Sequence, residues 1–286
     1  MIPASVLGHV PGCEGGERPL SITPLTGGLS NRAFKVSTAA GHFAVRLHAS
    51  LTTAAGVDRT IELALHGAAA SAGIAPAIVA ADLDSRFLIT EFIDGRAWSD
   101  ASFSRAPDLS ALASLLRRVH LIEPRAIPIS DPADVLRRYA DTFEETIPVE
   151  RLALEPLLSH GYRALEMARS RSRPAAVIHN DLHASNLVLA DSLYLLDWEY
   201  AAVSDPLIDI ACILAYYPQA EPHVPLLLAE SGVAELGATS ADLLWLTQWH
   251  LLIDCLWHRL RRAQGVSAPG EVDREQSFLR RLRLVR

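Results

Sequence analysis

The stretch Val177-Ile178-His179-Asn180-Asp181-Leu182-His183-Ala184-Ser185-Asn186-Leu187-Val188, with Leu195-Leu196-Asp197-Trp198-Glu199-Tyr200 close behind it, decides how the rest of the chain is read. The apolar run Ala175–Ile178 predicts a strand, and the polar His179–Asn186 a tight loop. A second strand over Leu187–Ala190 turns at Asp191-Ser192 into a third, Leu193–Leu196, which ends on Asp197. This order gathers three oxygen-bearing side chains, Asp181, Asn186 and Asp197, at one end of a small hairpin.

Such a grouping suits phosphoryl transfer, in which catalysis is mostly positioning and charge neutralisation. Asp181 is placed to orient an acceptor hydroxyl and take its proton. Asn186 and Asp197 supply hard oxygen ligands for Mg²⁺ against nucleotide phosphates. The spacing H-x-D-x-x-x-x-N followed by a strand-terminal Asp is similar to that of protein kinases, with Asn180 in place of Arg and Trp198-Glu199 in place of Phe-Gly. Through His179–Asn186 and Asp197–Tyr200 the chain resembles the aminoglycoside phosphotransferase and choline kinase superfamily, in particular its bacterial choline/ethanolamine and thiamine kinase-like branch. His183 reads either as a loop brace or as a phosphate contact.

The resemblance implies an α+β, two-lobed protein-kinase-like fold. Its small N-terminal lobe, over 1–94, carries an antiparallel sheet and one helix for the nucleotide. Its mainly helical C-terminal lobe, over 95–286, carries the catalytic loop, the metal site and the acceptor-binding helices. A chain of 286 residues that is 50% hydrophobic is long enough for two lobes sharing a cleft.

Outward from the hairpin, strands are expected at Leu20–Leu25, Ala33–Ser37 and His42–His48. Phe43, Val45 and Leu47 alternate with Ala44 and Arg46, so Ala44 and Arg46 share one strand face. In the superfamily this face meets the nucleotide, which puts Arg46 at the phosphates, where guanidinium binds in a bidentate manner. The turn Gly27–Asn31 would lie over those phosphates, with Ser30 and Asn31 as short polar groups. A helix over Ala55–Ser71 is expected to bury Ile61, Leu65 and Ala68. Glu62 in its middle is the partner for Arg46 that the resemblance implies, with Asp58 as the nearby alternative. Strands at Ala77–Ala81 and Phe87–Phe92 lead into Glu91-Phe92-Ile93-Asp94-Gly95, similar to the superfamily hinge, whose backbone at Glu91 and Ile93 would read the adenine edge.

Beyond the hinge the periodicity is helical, over Leu109–Leu121, Pro132–Thr146, Val149–Ser170, Pro222–Ser231 and Ala241–Ala263. Asp205-Pro206 opens a further helix whose Asp209 resembles a brace for the catalytic loop. On Ala241–Ala263, Trp245, Trp249 and Trp257 fall near one face, with Asp254 and His250 beside them. With Glu199 and Tyr200, this composition either forms an acceptor pocket for a cation lacking N–H donors, held by ring faces, or is plain core.

The chain carries 33 acidic and 26 basic residues, for a net charge of −7. No basic run tracks a phosphate backbone, so nucleic acid is not an expected partner. Cys13, Cys212 and Cys255 are too scattered for a disulfide framework or a zinc site, which fits a reducing cytoplasm. No membrane insertion is expected. The expected function is ATP-dependent, Mg²⁺-assisted transfer of the γ-phosphoryl group to a small alcohol of the choline, ethanolamine or thiamine type. The alternatives are an aminoglycoside or sugar phosphotransferase, and a nucleotide-binding kinase-like protein without turnover. Sequence leaves the acceptor and the oligomeric state open.

Overall fold

The computed structural model describes residues 1–25, 31–48, 57–82, 84, 86–124, 126–168, 173–265 and 271–282. It divides into two compact units. One comprises the N-terminal strands, Val57–Ser99 and His183–Tyr200; the other comprises Asp100–Leu182 and the chain from Ala201 onward.

In the first unit, β1 (Ser21–Leu25), β2 (Arg32–Thr38), β3 (Gly41–Leu47), β4 (Ile78–Ala81) and β5 (Phe87–Glu91) form an antiparallel sheet in the order β1-β2-β3-β5-β4. The period of two sorts the strand faces: Phe34, Val36, Phe43, Val45 and Leu47 are buried. They pack with Ile89, Phe87 and the N-terminal Ile2, Val6, Val10 and Cys13. The segment before residue 19, in which the sequence shows no period, thus closes one sheet face, helped by the short helix α1 (Ala4–Leu7).

Helix α2 (Arg59–Ser71) starts at Asp58, whose carboxylate accepts from the Thr60 and Ile61 N–H groups. The part of the expected helix over 55–56 lies outside the described residues. The buried face of α2 is Glu62, Leu65, His66 and Ala69; Leu65 is buried as expected, while Ile61 and Ala68 are only half-buried. The rotation follows from Glu62 being drawn inward by two arginines, described below.

The sequence placed the whole catalytic segment with the C-terminal lobe, whereas the structure groups His183–Tyr200 with the sheet unit. Local pairing explains this. Strand β6 (Arg96–Ala97) pairs with β8 (Leu187–Leu189), which pairs with β9 (Leu193–Leu195). The Trp98 N–H donates to the Leu187 carbonyl, and Leu195 N–H to that of Ile74.

In the second unit, β7 (Ala176–Ile178) pairs with β10 (Ala202–Ser204) among α3 (Ala106–His120), α4 (Pro132–Thr146), α5 (Pro148–Ala168), α6 (Leu207–Tyr216), α7 (Val224–Glu230), α8 (Ser240–Ala263) and α9 (Glu271–Arg281). Helix α6 is buried from Leu207 to Ala215 and packs on α8, which also packs on α5 and α9. Thr239 and Asp242 start α8 with a reciprocal capping box. Among the described residues no helix is long and apolar enough to cross a membrane.

Gly95 permits the approach of β8, because a Cβ there would lie 2.6 Å from the Leu189 carbonyl oxygen and 2.8 Å from Val188 Cγ1. Gly95→Ala is expected to lower stability by about 1–3 kcal/mol, since backbone must yield. Thermal unfolding checks this, and an unchanged midpoint would refute the close approach.

Candidate functional site

The polar interior of the first unit is built on Arg46. Its strand position sends the side chain to the face opposite the apolar core, beside Ala44. Arg46 Nη2 donates to Glu62 and Nη1 to Asp197. A second cation continues the series: Arg59 Nη1 donates to Glu62 Oε2 at 2.5 Å and to Glu199 Oε2 at 3.1 Å. Asn31 Nδ2 donates to the same Glu199 oxygen at 2.8 Å. Asp197, Arg46, Glu62, Arg59 and Glu199 therefore alternate in charge. The side chains of Glu62 and Glu199 are 1% and 3% exposed, a depth at which a carboxylate requires partners. Burial pushes the Glu199 carboxyl up, and the charge on Asp197 adds to this; Arg46, Asn31 and Arg59 pull it back. Next to these cations His48 is driven down to about 3, chiefly by burial and then by Arg46 and Arg59, so it is neutral at pH 7.

The hairpin fixes Asn186 against Asp197. Asn186 N–H donates to the His183 carbonyl at 2.9 Å, and its own carbonyl accepts from Leu196 N–H at 2.8 Å. Asp197 follows with φ 59°, a left-handed backbone that Asp tolerates better than most residues. Trp198 anchors the turn, fully buried, with Nε1 donating to the Leu195 carbonyl at 3.0 Å. Among the described residues no three His, Cys, Asp or Glu side chains form a metal cage. One carboxylate and one amide oxygen nevertheless fit Mg²⁺, which is commonly held by one or two protein oxygens, with phosphates and waters completing its octahedron.

In the second unit Asp209, fully buried in the first turn of α6, holds the loop that carries Asp181. Its oxygens accept from the backbone N–H groups of His179 (3.1 Å) and Asn180 (2.8 Å), and from His120 Nε2 at 3.0 Å. These bonds secure Asn180 at φ 63°. The next N–H groups are also engaged, Asp181's with His179 Nδ1 and Leu182's with Cys212 Sγ, each at 3.3 Å. The half-buried Asp181 is thereby set on a loop whose backbone is tied at four successive residues.

On α8, Trp249 and Asp254 are buried, and Trp245 and Trp257 are half-buried. Trp257 carries the Arg261 guanidinium over its ring at 4.6 Å, so this indole is engaged from its own helix. Asp254 Oδ1 accepts from Tyr216 Oη at 3.0 Å. Glu199, read from sequence as an acceptor carboxylate, is instead bound by Arg59 and Asn31 in the first unit, where Tyr200 also lies. Ser30 and the rest of its turn lie outside the described residues. Glu91 ends β5 with its N–H donated to the Ala77 carbonyl, and Ile93 is half-buried just beyond. Sequence reasoning missed Arg59, His120 and Tyr216. Only Arg59 carried a signal, standing one helical turn before Glu62.

The profile of the phosphotransferase enzyme family matches residues 21–241. Among solved structures, the choline kinase LicA from Streptococcus pneumoniae superposes with a TM-score of 0.79 at 19% identity, covering 94% of this chain and 95% of that one. LicA has also been solved in complex with AMP. A choline/ethanolamine kinase family protein from Mesorhizobium loti gives 0.71 at 19% identity, over 98% and 92% of the two chains. At these identities the likeness is one of fold. A curated mouse protein, acyl-CoA dehydrogenase family member 10, is 23% identical over 228 residues, 71% of this chain. The chain spans about a fifth of that relative's length, since 21% of the mouse protein is covered.

Arg59→Met is expected to cost about 3 kcal/mol, because it removes the shared partner of two buried carboxylates. Adding Glu199→Gln should recover part of that loss. Denaturant unfolding of the two single variants and the double variant checks this; strictly additive losses would mean that Arg59 and Glu199 are not coupled.

Proposed function

We propose that this chain, which belongs to the phosphotransferase enzyme family, is an ATP-dependent kinase that transfers the γ-phosphoryl group to the hydroxyl of a small, cationic alcohol. The observation that carries the reading is the joining of Asn186 to the Asp197 turn through Leu196 N–H, with Arg46 on Asp197. That arrangement offers two metal-binding oxygens beside a fixed guanidinium, the set that a nucleotide polyphosphate with its magnesium calls for. The adenylate bound by LicA supports an adenine nucleotide, and the choline and ethanolamine kinases of the same fold support an amino-alcohol acceptor.

Asp181 orients the acceptor hydroxyl and takes its proton as the oxygen attacks the γ-phosphorus, and the bond to the leaving β-phosphate oxygen breaks. Arg46 steadies the phosphates, exchanging Asp197 for them, while Glu62 keeps its second donor pair in place. Asn186 and Asp197 would hold Mg²⁺, which when bound neutralises charge on the phosphates. Asp209 contributes by keeping the Asp181 loop in one conformation.

A screen for ADP release against choline, ethanolamine, thiamine, aminoglycosides and amino sugars tests the reading. Stimulation by an amino alcohol supports it, and stimulation by aminoglycosides alone would replace the acceptor class. Asp181→Asn should reduce turnover at least a hundredfold with nucleotide binding retained. Asp197→Ala should abolish Mg²⁺-dependent nucleotide binding. Turnover within a few-fold of wild type in the first variant, or unchanged Mg-ATP affinity in the second, would remove those roles.

A further inference from the structure

Lys35, the one lysine of the chain, stands on the strand face that carries Arg46. Register places it there: Ala33 of β2 lies opposite Arg46 of β3, and Lys35 lies opposite Ala44, which in turn faces Thr90 of β5. Phe34, Val36, Phe43 and Val45 make the core face, so the period of two sends Lys35, Ala44 and Arg46 to the other side. From this position Lys35 does not extend straight into solvent. Its Nζ lies 4.0 Å from the centre of the Phe92 ring and 4.0 Å from Asp94 Oδ2. Phe92 follows Glu91, the last residue of β5, and its N–H donates to the His42 carbonyl at 3.0 Å, which fixes it across from His42 near the start of β3.

Strands β2 and β5 flank β3, and two strand spacings, about 9.6 Å, separate them. A lysine rooted on β2 and a ring rooted just beyond β5 can therefore meet only above β3, over the stretch from His42 to Ala44. Ala44 makes room for the meeting, because its side chain is a single methyl group. The result is a cation–aromatic bridge across the sheet, beginning two residues, about 7 Å, along β3 from Arg46.

The kinase reading above puts the nucleotide phosphates at Arg46, and the nucleoside must then run along this face. In one direction the face carries His48, half-buried beside Arg46 and Arg59. In the other it carries Ala44 and the exposed His42, and ends at Phe92, between Glu91 and Ile93. The open way leads under the bridge. As a resting contact the bridge is weak: the Lys35 side chain is 26% exposed and Asp94 82%, so the ion pair gains little, and an exposed ammonium over a phenyl ring gains only modestly. Lys35 leaves Phe92 at small cost for a better partner. A purine is such a partner, since it offers a broad ring face together with acceptor nitrogens for N–H donors.

We infer that Lys35 binds the nucleoside end of the nucleotide, its ammonium passing from the Phe92 ring to the face and acceptor atoms of a purine lodged against Ala44, and that it thereby favours purine over pyrimidine nucleotides. The inference rests on the kinase reading for the place of the phosphates and adds a residue that selects the base. Ala44 supplies the floor, Phe92 the far wall, and Lys35 a cover that closes on the base with its four-carbon stem.

Lys35 is the only side-chain amine, and the fully exposed N-terminal Met1 provides a reference amine in the same molecule. The first test is reductive methylation of the whole protein, with the modified amines located by mass spectrometry. ADP at a concentration that leaves about a tenth of the protein free should slow modification of Lys35 roughly tenfold and leave Met1 unchanged, whereas tripolyphosphate, which reaches only the Arg46 end, should leave Lys35 within about twofold. Acceleration at Lys35 by ADP, which would mean ejection of the side chain into solvent, overturns the inference, and so does equal protection by ADP and tripolyphosphate. Calorimetric titration is the second test. Lys35→Met should weaken ADP binding about fivefold to tenfold, leave tripolyphosphate within about twofold, and shrink the preference for ADP over CDP by roughly threefold or more. Lys35→Arg, which keeps a cation suited to ring faces, should restore most of the ADP affinity. A lysine that merely braces the sheet would instead lower the melting temperature and weaken ADP and tripolyphosphate alike. Equal affinity of wild type for ADP and CDP overturns the purine preference, and the wild-type measurements decide this even if Lys35→Met does not fold. Protection of Lys35 by ADP in a protein that phosphorylates no alcohol would keep the inference and remove the kinase reading. Phosphorylation of an alcohol with Lys35 labelling indifferent to ADP would keep the kinase reading and remove the inference.

Discussion

The polar interior of the first unit depends on one guanidinium that bridges two carboxylates. A lysine at position 46 would offer a compact point charge, whereas the planar fork of Arg46 donates from separate nitrogens to Glu62 and Asp197 at once. With Arg59 on its other oxygen, Glu62 can thereby be fully buried, and burying Glu62 in turn sets the rotation of α2. Arg59 extends the alternation to Glu199, whose same oxygen also accepts from Asn31. Three carboxylates against two guanidiniums leave one negative charge, and the series opens at Asp197, whose side chain is 29% exposed against 1% and 3% for the others. The least buried anion thus lies at one end of the network, and its most buried one, Glu62, in the middle between the two guanidiniums.

The second unit solves a different problem, that of holding a loop in an uncommon backbone conformation. Asn180 at φ 63° costs conformational energy, and Asp209 offsets it by accepting two consecutive N–H groups from below the loop. The first turn of α6 is a favourable place for that carboxylate, because the helix dipole presents its positive end there. His120, in the last turn of α3, adds a third donor and ties the loop to a second helix. Asp181 thus inherits its position from a residue 28 places later in the chain.

What sequence reveals here follows the range of the forces involved. The hairpin and the sharing of a strand face by Ala44 and Arg46 are local consequences of a two-residue period, and they read directly. The buried face of α2 does not, because counting apolar positions favours Ile61 and Ala68 and never places Glu62 inside. Arg59 reads as an ordinary first-turn arginine until Glu199, 140 residues away, is seen beside it. The grouping of His183–Tyr200 with the sheet unit was hidden for a related reason: it rests on the pairing of β6 with β8 and on bonds such as Leu195 N–H to the Ile74 carbonyl, between residues far apart in the chain.

Asp209 and Asp254 are two carboxylates within the same helical unit, and their surroundings treat them differently. Asp209 receives two backbone N–H groups and an imidazole, so its oxygens are met and its charge serves the loop. Asp254 receives one phenol, keeps one oxygen unmet, and has its carboxyl raised to about 8 by burial. Burial opposes the charged form of Asp254, and the Tyr216 hydrogen bond with the charges of Arg274 and Arg281 offsets only part of that cost. The same reasoning separates the indoles of α8. Trp257 is covered by Arg261 from its own helix and is accounted for by the fold, while Trp249, buried five residues before Asp254, has its own N–H unmet among the described residues.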